Sequence, residues 1–207
     1  ASKAFLHPII KRPNLRVITK AQVKKLRVES KRVIGVEFFQ GNDLHFAAAN
    51  IETVLAAGAI GSPQILQLSG IGPAALLQQH GIPVAHDLAG VGENLQDHLQ
   101  LRMIYKVKNV RTLNTIANSI CGKISMGLEY AFKRRGPLTM APSQLGAFAK
   151  SDPSQSSANI QYHIQPLSLD KFGEPLHSFP AFTASVCNLR PTSRGSVKIK
   201  SADALVA

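Results

Sequence analysis

The sequence predicts a mixed α and β chain built in two parts, and three observations carry that prediction. Residues 15–57 alternate apolar and polar positions with a period of two. Residues 62–81 carry two short helix signals bounded by Pro and Gly, and residues 113–132 carry apolar side chains at steps of three and four. Strand patterns return after residue 160, so the second part reads as an antiparallel sheet with a helix against it.

In the first part, Leu15, Val17, Ala21 and Val23 alternate with polar neighbours. Lys24 and Lys25 break that parity before Leu26 and Val28 resume it, which predicts a bulge or a sheet edge. Strands at 33–39 and 44–48 are joined by Gln40, Gly41, Asn42 and Asp43, the residue types a tight hairpin demands, so the three strands form a β-meander. Residues 51–57 are apolar on both faces, as a central strand covered on both sides would be. This strand enters a turn at 58–61. Ser62 then reads as an N-cap and Pro63 as the first residue of a short helix through Ile65, Leu66 and Leu68, stopped by Gly70. Pro73 opens a second helix through Ala74, Leu76 and Leu77 that ends at Gly81. A loop at 90–98 closes this part, which is assigned residues 1–99.

The second part, residues 100–207, opens on the strongest helix pattern in the chain. Leu113, Ile116, Ala117, Ile120, Ile124, Leu128, Ala131 and Phe132 form one apolar stripe on a single helix. Lys133, Arg134 and Arg135 complement its negative end before Gly136 and Pro137 stop it. Strands are expected at 160–164, 181–189 and 196–200, the last with Val197 and Ile199 on one face and Lys198 and Lys200 on the other. The chain opens at Ala1 without Met, inside an apolar pattern, and residues 202–207 supply no closing element, so it is expected to be a segment of a longer protein.

Composition bounds the function classes. Apolar residues make up 44% and charged residues 17%, values that exclude disorder and predict a buried core. The longest apolar run, residues 54–60, is far short of the ~20 residues that cross a bilayer, so no transmembrane segment is expected. Cys121 and Cys187 lie far apart and no Cys-x-x-Cys occurs. Neither a disulfide framework nor a metal site is therefore expected, and a reducing, cytoplasmic compartment is. The net charge of +12 invites a nucleic-acid reading. Against it, the basic residues are dispersed over residues 20–32, 133–135 and 190–200, and aromatics make up only 6% without Trp, leaving little for base stacking. No nucleic-acid partner is expected. A basic interaction module binding a polyanion stands as the alternative, and salt-dependent binding would reveal it.

One segment points to a chemistry. Gly58-Ala59-Ile60-Gly61-Ser62-Pro63-Gln64-Ile65-Leu66-Gln67-Leu68-Ser69-Gly70-Ile71-Gly72 resembles, position for position, the second signature of the glucose–methanol–choline (GMC) oxidoreductases. Other stretches resemble the same family in the same order, among them Val91-Gly92-Glu93-Asn94-Leu95-Gln96-Asp97-His98, Gly136-Pro137-Leu138 and Arg190-Pro191-Thr192-Ser193-Arg194-Gly195. The resemblance is nearest to choline dehydrogenase-like members. It implies part of an FAD-binding domain in residues 1–99 and part of a substrate domain in 100–207. It also implies FAD as cofactor, an alcohol as substrate, and further N- and C-terminal parts of the same protein as partners. The implied reaction converts the CH–OH group of a primary alcohol to the aldehyde by hydride transfer to flavin. A parent of this kind is expected in the cytoplasm, with peripheral membrane association left open.

The resemblance places the main chain of Val23 against the adenine and makes Ala57 and Gly58 neighbours of the cofactor. Residue physics agrees at Gly58, where no Cβ obstructs approach to the backbone. No Gly-x-Gly-x-x-Gly fingerprint occurs, Gly70-Ile71-Gly72 being a helix stop before Pro73. None of His7, His45, His80, His86, His98, His163 or His177 stands in the His-Pro-x-Gly-Thr-like context of the family's catalytic base. No catalytic residue is therefore assigned, and the chain by itself is expected to be inactive. Asp97 and His98 are neighbours on an extended loop, point to different sides and lack a nucleophile, so the pair reads as structural. His163 alternates with Tyr162 and Ile164 and is a polar-face residue that could line a pocket.

Overall fold

The computed structural model describes residues 2–141, 143–171 and 173–206; Ala1 and Ala207, named in the reading of the two ends, lie outside the described residues. Two compact units divide the chain: residues up to Gln96 with those from Arg194 onward, and Asp97–Ser193. In this division residues 194–206 group with the residues up to Gln96. Their backbone bonds explain this. Gly195 and Leu95 exchange N–H···O bonds of 2.8 and 2.9 Å, Val197 N–H donates to the carbonyl of Gly92 (2.6 Å), and Ile199 N–H donates to Oε1 of Gln67 (2.9 Å).

In the first unit, β1 (Ala21–Glu29), β2 (Arg32–Gln40) and β3 (Asp43–Ala48) form the expected antiparallel meander. The β1–β2 register shifts between Val23 and Lys25, so the broken parity of the two lysines does mark a bulge. Gly41 makes the β2–β3 turn at φ 64°. The β1–β2 turn uses Ser30 and Lys31 at φ 47° and 64°, with neither Gly nor Asn to announce it.

Glu37 on β2 is buried with Leu26 and Phe38, and its Oε1 accepts from Nε (3.0 Å) and a terminal nitrogen (2.7 Å) of Arg27, whose guanidinium also stacks over the Phe46 ring. Burial pushes this carboxyl up, but the Arg27 hydrogen bond and the charges of Lys25, Arg27 and Lys24 outweigh it and hold Glu37 below its ordinary value of 4.5. A depressed carboxylate contributes stability above its unfolded value and loses it as pH falls through the folded value. Glu37→Gln is therefore expected to be less stable than wild type at pH 7 and to lose less stability between pH 5 and 3. Chemical denaturation across that window checks this, and parallel curves would contradict it.

Residues 51–57 do not form the expected central strand. They form no regular element and are mostly exposed, Ile51 by 88% and Val54 by 79%, because no described strand lies alongside to take their backbone bonds. They lead into α1 (Gly58–Leu68), which starts ahead of the predicted cap at Ser62, so that Pro63 lies inside the helix. Gly70 at φ 80° ends it as expected. β4 (Ile71–Gly72) and β5 (His86–Asp87) pair in parallel around α2 (Ala74–Gln79), which Pro73 precedes and Gly81 follows as predicted. Leu68, Ile199 and Ala204 form the core, with Leu76 and Ile82 packed against it.

The second unit holds β6 (Gln100–Lys106), β7 (Leu145–Ala149), β8 (Ile160–Gln165) and β9 (Ala181–Asn188) in an antiparallel sheet ordered β6-β9-β8-β7. The strands expected at 160–164 and 181–189 are present. The one expected at 196–200 is not a strand, although its faces were read correctly: Ile199 is buried and Lys198 and Lys200 are exposed. Its backbone bonds go to Gly92 and Gln67 in the first unit instead of to a neighbouring strand.

The single long helix is two, α3 (Leu113–Ala117) and α4 (Ile120–Lys133). Ser119 turns extended between them and accepts from Gly122 N–H (3.4 Å). Gly122 permits the close approach, since a Cβ there would lie 2.0 Å from the carbonyl oxygen of Ile116. The α3 members of the expected stripe, Leu113, Ile116 and Ala117, are half-buried, whereas the α4 members are open. Ile120, Ile124, Leu128 and Phe132 are all exposed, Phe132 by 82%.

Candidate functional site

The start of α1 sets a left-handed glycine in open space. Gly58 adopts φ 82°, a conformation that strains any residue with a Cβ, and nothing lies within 4 Å of where that Cβ would be. The first N–H groups of an α-helix have no acceptor within the helix and carry its positive end. Here the preceding N–H, that of Ala57, is already engaged, donating to Ser62 Oγ at 3.1 Å. Pro63 lacks the N–H that would bond the carbonyl of Ala59, so this turn is held by Ser62 and not by a regular ladder.

Ala59 and Pro63 form one wall of a hollow of about 330 Å³, and Gly92, Asn94, Leu95 and Gln96 form much of the other. Gly92 and Asn94 reach φ 85° and 62°, which turns the chain around this opening. Gln67 secures that wall from beneath. Its side chain is fully buried, with Nε2 donating to the carbonyls of Val91 (3.3 Å) and Val197 (3.0 Å). At the rim, Lys198 Nζ lies 3.4 Å from Glu93 Oε1. An unobstructed glycine and the first N–H groups of α1 thus lie next in sequence to Ala59, which borders the hollow.

The three residues the sequence singled out are placed as follows. Ala57 and Gly58 stand together, exposed, at the N-terminal end of α1. Val23 is half-buried on β1 opposite Phe38, at the edge of the bulge. Its strand is tied to the other end of α1, where Leu26 N–H donates to Ser69 Oγ at 2.8 Å. Asp97 accepts only from the backbone N–H of His98 (2.8 Å), the local turn contact expected of a structural loop. His163 is half-buried on β8, facing Gly146 and Ser185.

Sequence reasoning missed one constellation in the second unit. His177 Nδ1 lies 2.9 Å from Ser168 Oγ and its Nε2 lies 3.2 Å from Asp170 Oδ1. The order resembles a nucleophile, base and acid. The burial does not: Ser168 is fully buried, and its hydroxyl oxygen also accepts from Nδ2 of the equally buried Asn114 (2.8 Å). A hydroxyl enclosed in this way cannot reach a substrate, so the group clasps Ser168, His177 and Phe179 to Asn114 on α3. The residues are nine positions apart and lack any flanking motif, which leaves no signal in the sequence.

Residues 1–100 match the family model described as GMC oxidoreductase. An alcohol dehydrogenase [acceptor] of Pseudomonas putida is 40% identical over 207 residues, covering 98% of this chain and 37% of the relative. An oxygen-dependent choline dehydrogenase of Serratia proteamaculans is 39% identical over 204 residues, covering 98% and 37%. Among solved structures, an FAD-dependent oxidoreductase from Chaetomium thermophilum superposes with a TM-score of 0.80 at 25% identity, over 99% of this chain and 42% of that one. Formate oxidase superposes with a TM-score of 0.83 at 21% identity, over 94% and 39%, a likeness of fold. The chain spans little more than a third of the length of these curated relatives.

Proposed function

This chain belongs to the GMC oxidoreductases, which are FAD-dependent, and from that membership we propose that it forms part of an enzyme oxidising the CH–OH group of a primary alcohol to the aldehyde. The bound flavin would supply the hydride acceptor. The residues of this chain bind and orient: Ala57 and Gly58 offer an open main chain to the flavin end, and the N-terminal N–H groups of α1 favour negative charge beside it. Val23 presents its main chain to the adenine. An eleven-residue helix is roughly 16 Å long, so two contact regions associated with opposite ends of α1 suit an extended dinucleotide. The observation that carries the reading is Gly58, left-handed and unobstructed, next in sequence to Ala59 on the hollow's wall.

No residue here takes the alcohol proton, and no glycine fingerprint holds the pyrophosphate. The 207-residue chain alone is therefore inactive and retains flavin weakly. Titration with FAD, followed by amide NMR, is expected to shift the signals of Val23, Ala57 and Gly58, while gel filtration strips the yellow colour. Unmoved amides at those three positions would remove the cofactor assignment. Alcohol-dependent bleaching of retained flavin would instead refute the inactivity.

A further inference from the structure

We infer that α4 is a docking ridge for an anionic lipid surface. None of its fourteen residues is buried. At the ~100° that an α-helix turns per residue, Ile120, Cys121, Ile124, Leu128, Ala131 and Phe132 fall within roughly 120° of one another and form a continuous apolar arc. All six are exposed, the four large ones by between 52% and 82%. A helix normally turns such an arc to its own core, but here the opposite side does the packing, where Gly122 approaches the carbonyl of Ile116 and Glu129 lies against Gly136. The arc is left to an outside partner.

Charge selects that partner. Lys123 borders the arc, and Lys133, Arg134 and Arg135 crowd its end at Phe132, all of them exposed. Glu129 is the one acid on the helix, and its Oε1 already lies 3.5 Å from Nε of Arg135. Cations at both ends of the arc repel a second copy whichever way the two helices run. The apolar side chains also stand out as a ridge, which a folded protein accepts only in a groove shaped for it, whereas lipid conforms to it. The Lys and Arg side chains reach sideways to anionic headgroups while the arc sinks into the boundary between headgroups and acyl chains. A net charge of +12 adds long-range attraction to the same surface. No described helix is long and apolar enough to cross a membrane, so α4 lies along the surface.

The chain contains no Trp, so Phe132→Trp installs a single fluorescent reporter on the arc. Its emission is expected to shift to the blue, saturably, when the 207-residue chain is titrated with vesicles of phosphatidylcholine and phosphatidylglycerol, and far less with phosphatidylcholine alone. Adding Lys123→Gln with Lys133→Gln should weaken the binding about twentyfold, and adding Ile124→Ala with Leu128→Ala about tenfold, alanine being the best helix former. Both pairs are exposed, so the fold should persist, which circular dichroism checks; the reporter alone decides the matter should a pair unfold. No blue shift with the mixed vesicles, an equal one with phosphatidylcholine, or unchanged binding in either folded pair would overturn the inference. So would a shift that precedes the vesicles and grows with protein concentration, the mark of a second copy. In the longer enzyme proposed above the same reporter must still meet the vesicles; emission already blue and unmoved by them would mean that another part of that protein covers the ridge, and would overturn the inference too. None of these readouts involves flavin, so a failure of the FAD titration at Val23, Ala57 and Gly58 is seen separately.

Discussion

Gly92→Ala is expected to destabilise the first unit by about 3 kcal/mol, combining left-handed strain with a steric conflict. Gly92 sits at φ 85°, and an added Cβ would lie 2.2 Å from the carbonyl oxygen of Val197 and 2.5 Å from Nε2 of Gln67. The Val197 carbonyl is flanked by two bonds that hold the returning segment, Val197 N–H to Gly92 and Ile199 N–H to Gln67. Moving it aside costs both. Urea unfolding followed by circular dichroism measures the loss, and hydrogen exchange should show the amides of Val197 and Ile199 opening first. Stability within 0.5 kcal/mol of wild type would mean that residues 194–206 are held by something else. Asn94, also left-handed at φ 62°, is the control, since Asn94→Gly relieves strain and should not destabilise.

Asn114→Leu should cost the second unit a similar amount, about 3 kcal/mol, for an electrostatic reason instead of a steric one. Asn114 is fully buried; its Nδ2 donates to Ser168 Oγ (2.8 Å) and to the carbonyl of Phe179 (3.1 Å), and its Oδ1 accepts from Ser168 N–H (2.9 Å). Leucine fills similar space but strands all three partners, and Ser168 has no access to water. The His177 clasp depends on the same hydroxyl, so the His177 ring signals should broaden or move in the variant, and its stacking on Phe179 at 4.7 Å should loosen. A variant of wild-type stability with unchanged His177 signals would show that the clasp does not hold this unit together.

Much of the fold was legible because local chemistry decided it. Gly41 set a hairpin, the paired lysines at 24 and 25 set a bulge, Gly70 and Gly81 ended helices, and the alternation at 160–164 and 181–189 marked two strands that form. The errors share a cause. Residues 51–57 and 196–200 have strand patterns, yet a pattern reports which face is apolar and says nothing about which backbone will pair with it. The first segment has no described strand beside it, and the second found Gly92 and a glutamine side chain. The helix expected at 113–132 is broken because Ser119 turns extended and caps α4, a stop that the apolar period does not record.

The candidate site divides in the same way. The glycine-and-proline segment at 58–72 identified the family and pointed to Ala57 and Gly58, because a requirement for a missing Cβ is written in residue identity. The wall opposite, the burial of Gln67 across residues 91 and 197 and the clasp of Asn114 on Ser168 were all decided by tertiary structure. The physical reason is range. Turns, caps and periodicity are settled by neighbours within a few residues, whereas a buried amide's value depends on partners that only the folded chain brings within 3 Å.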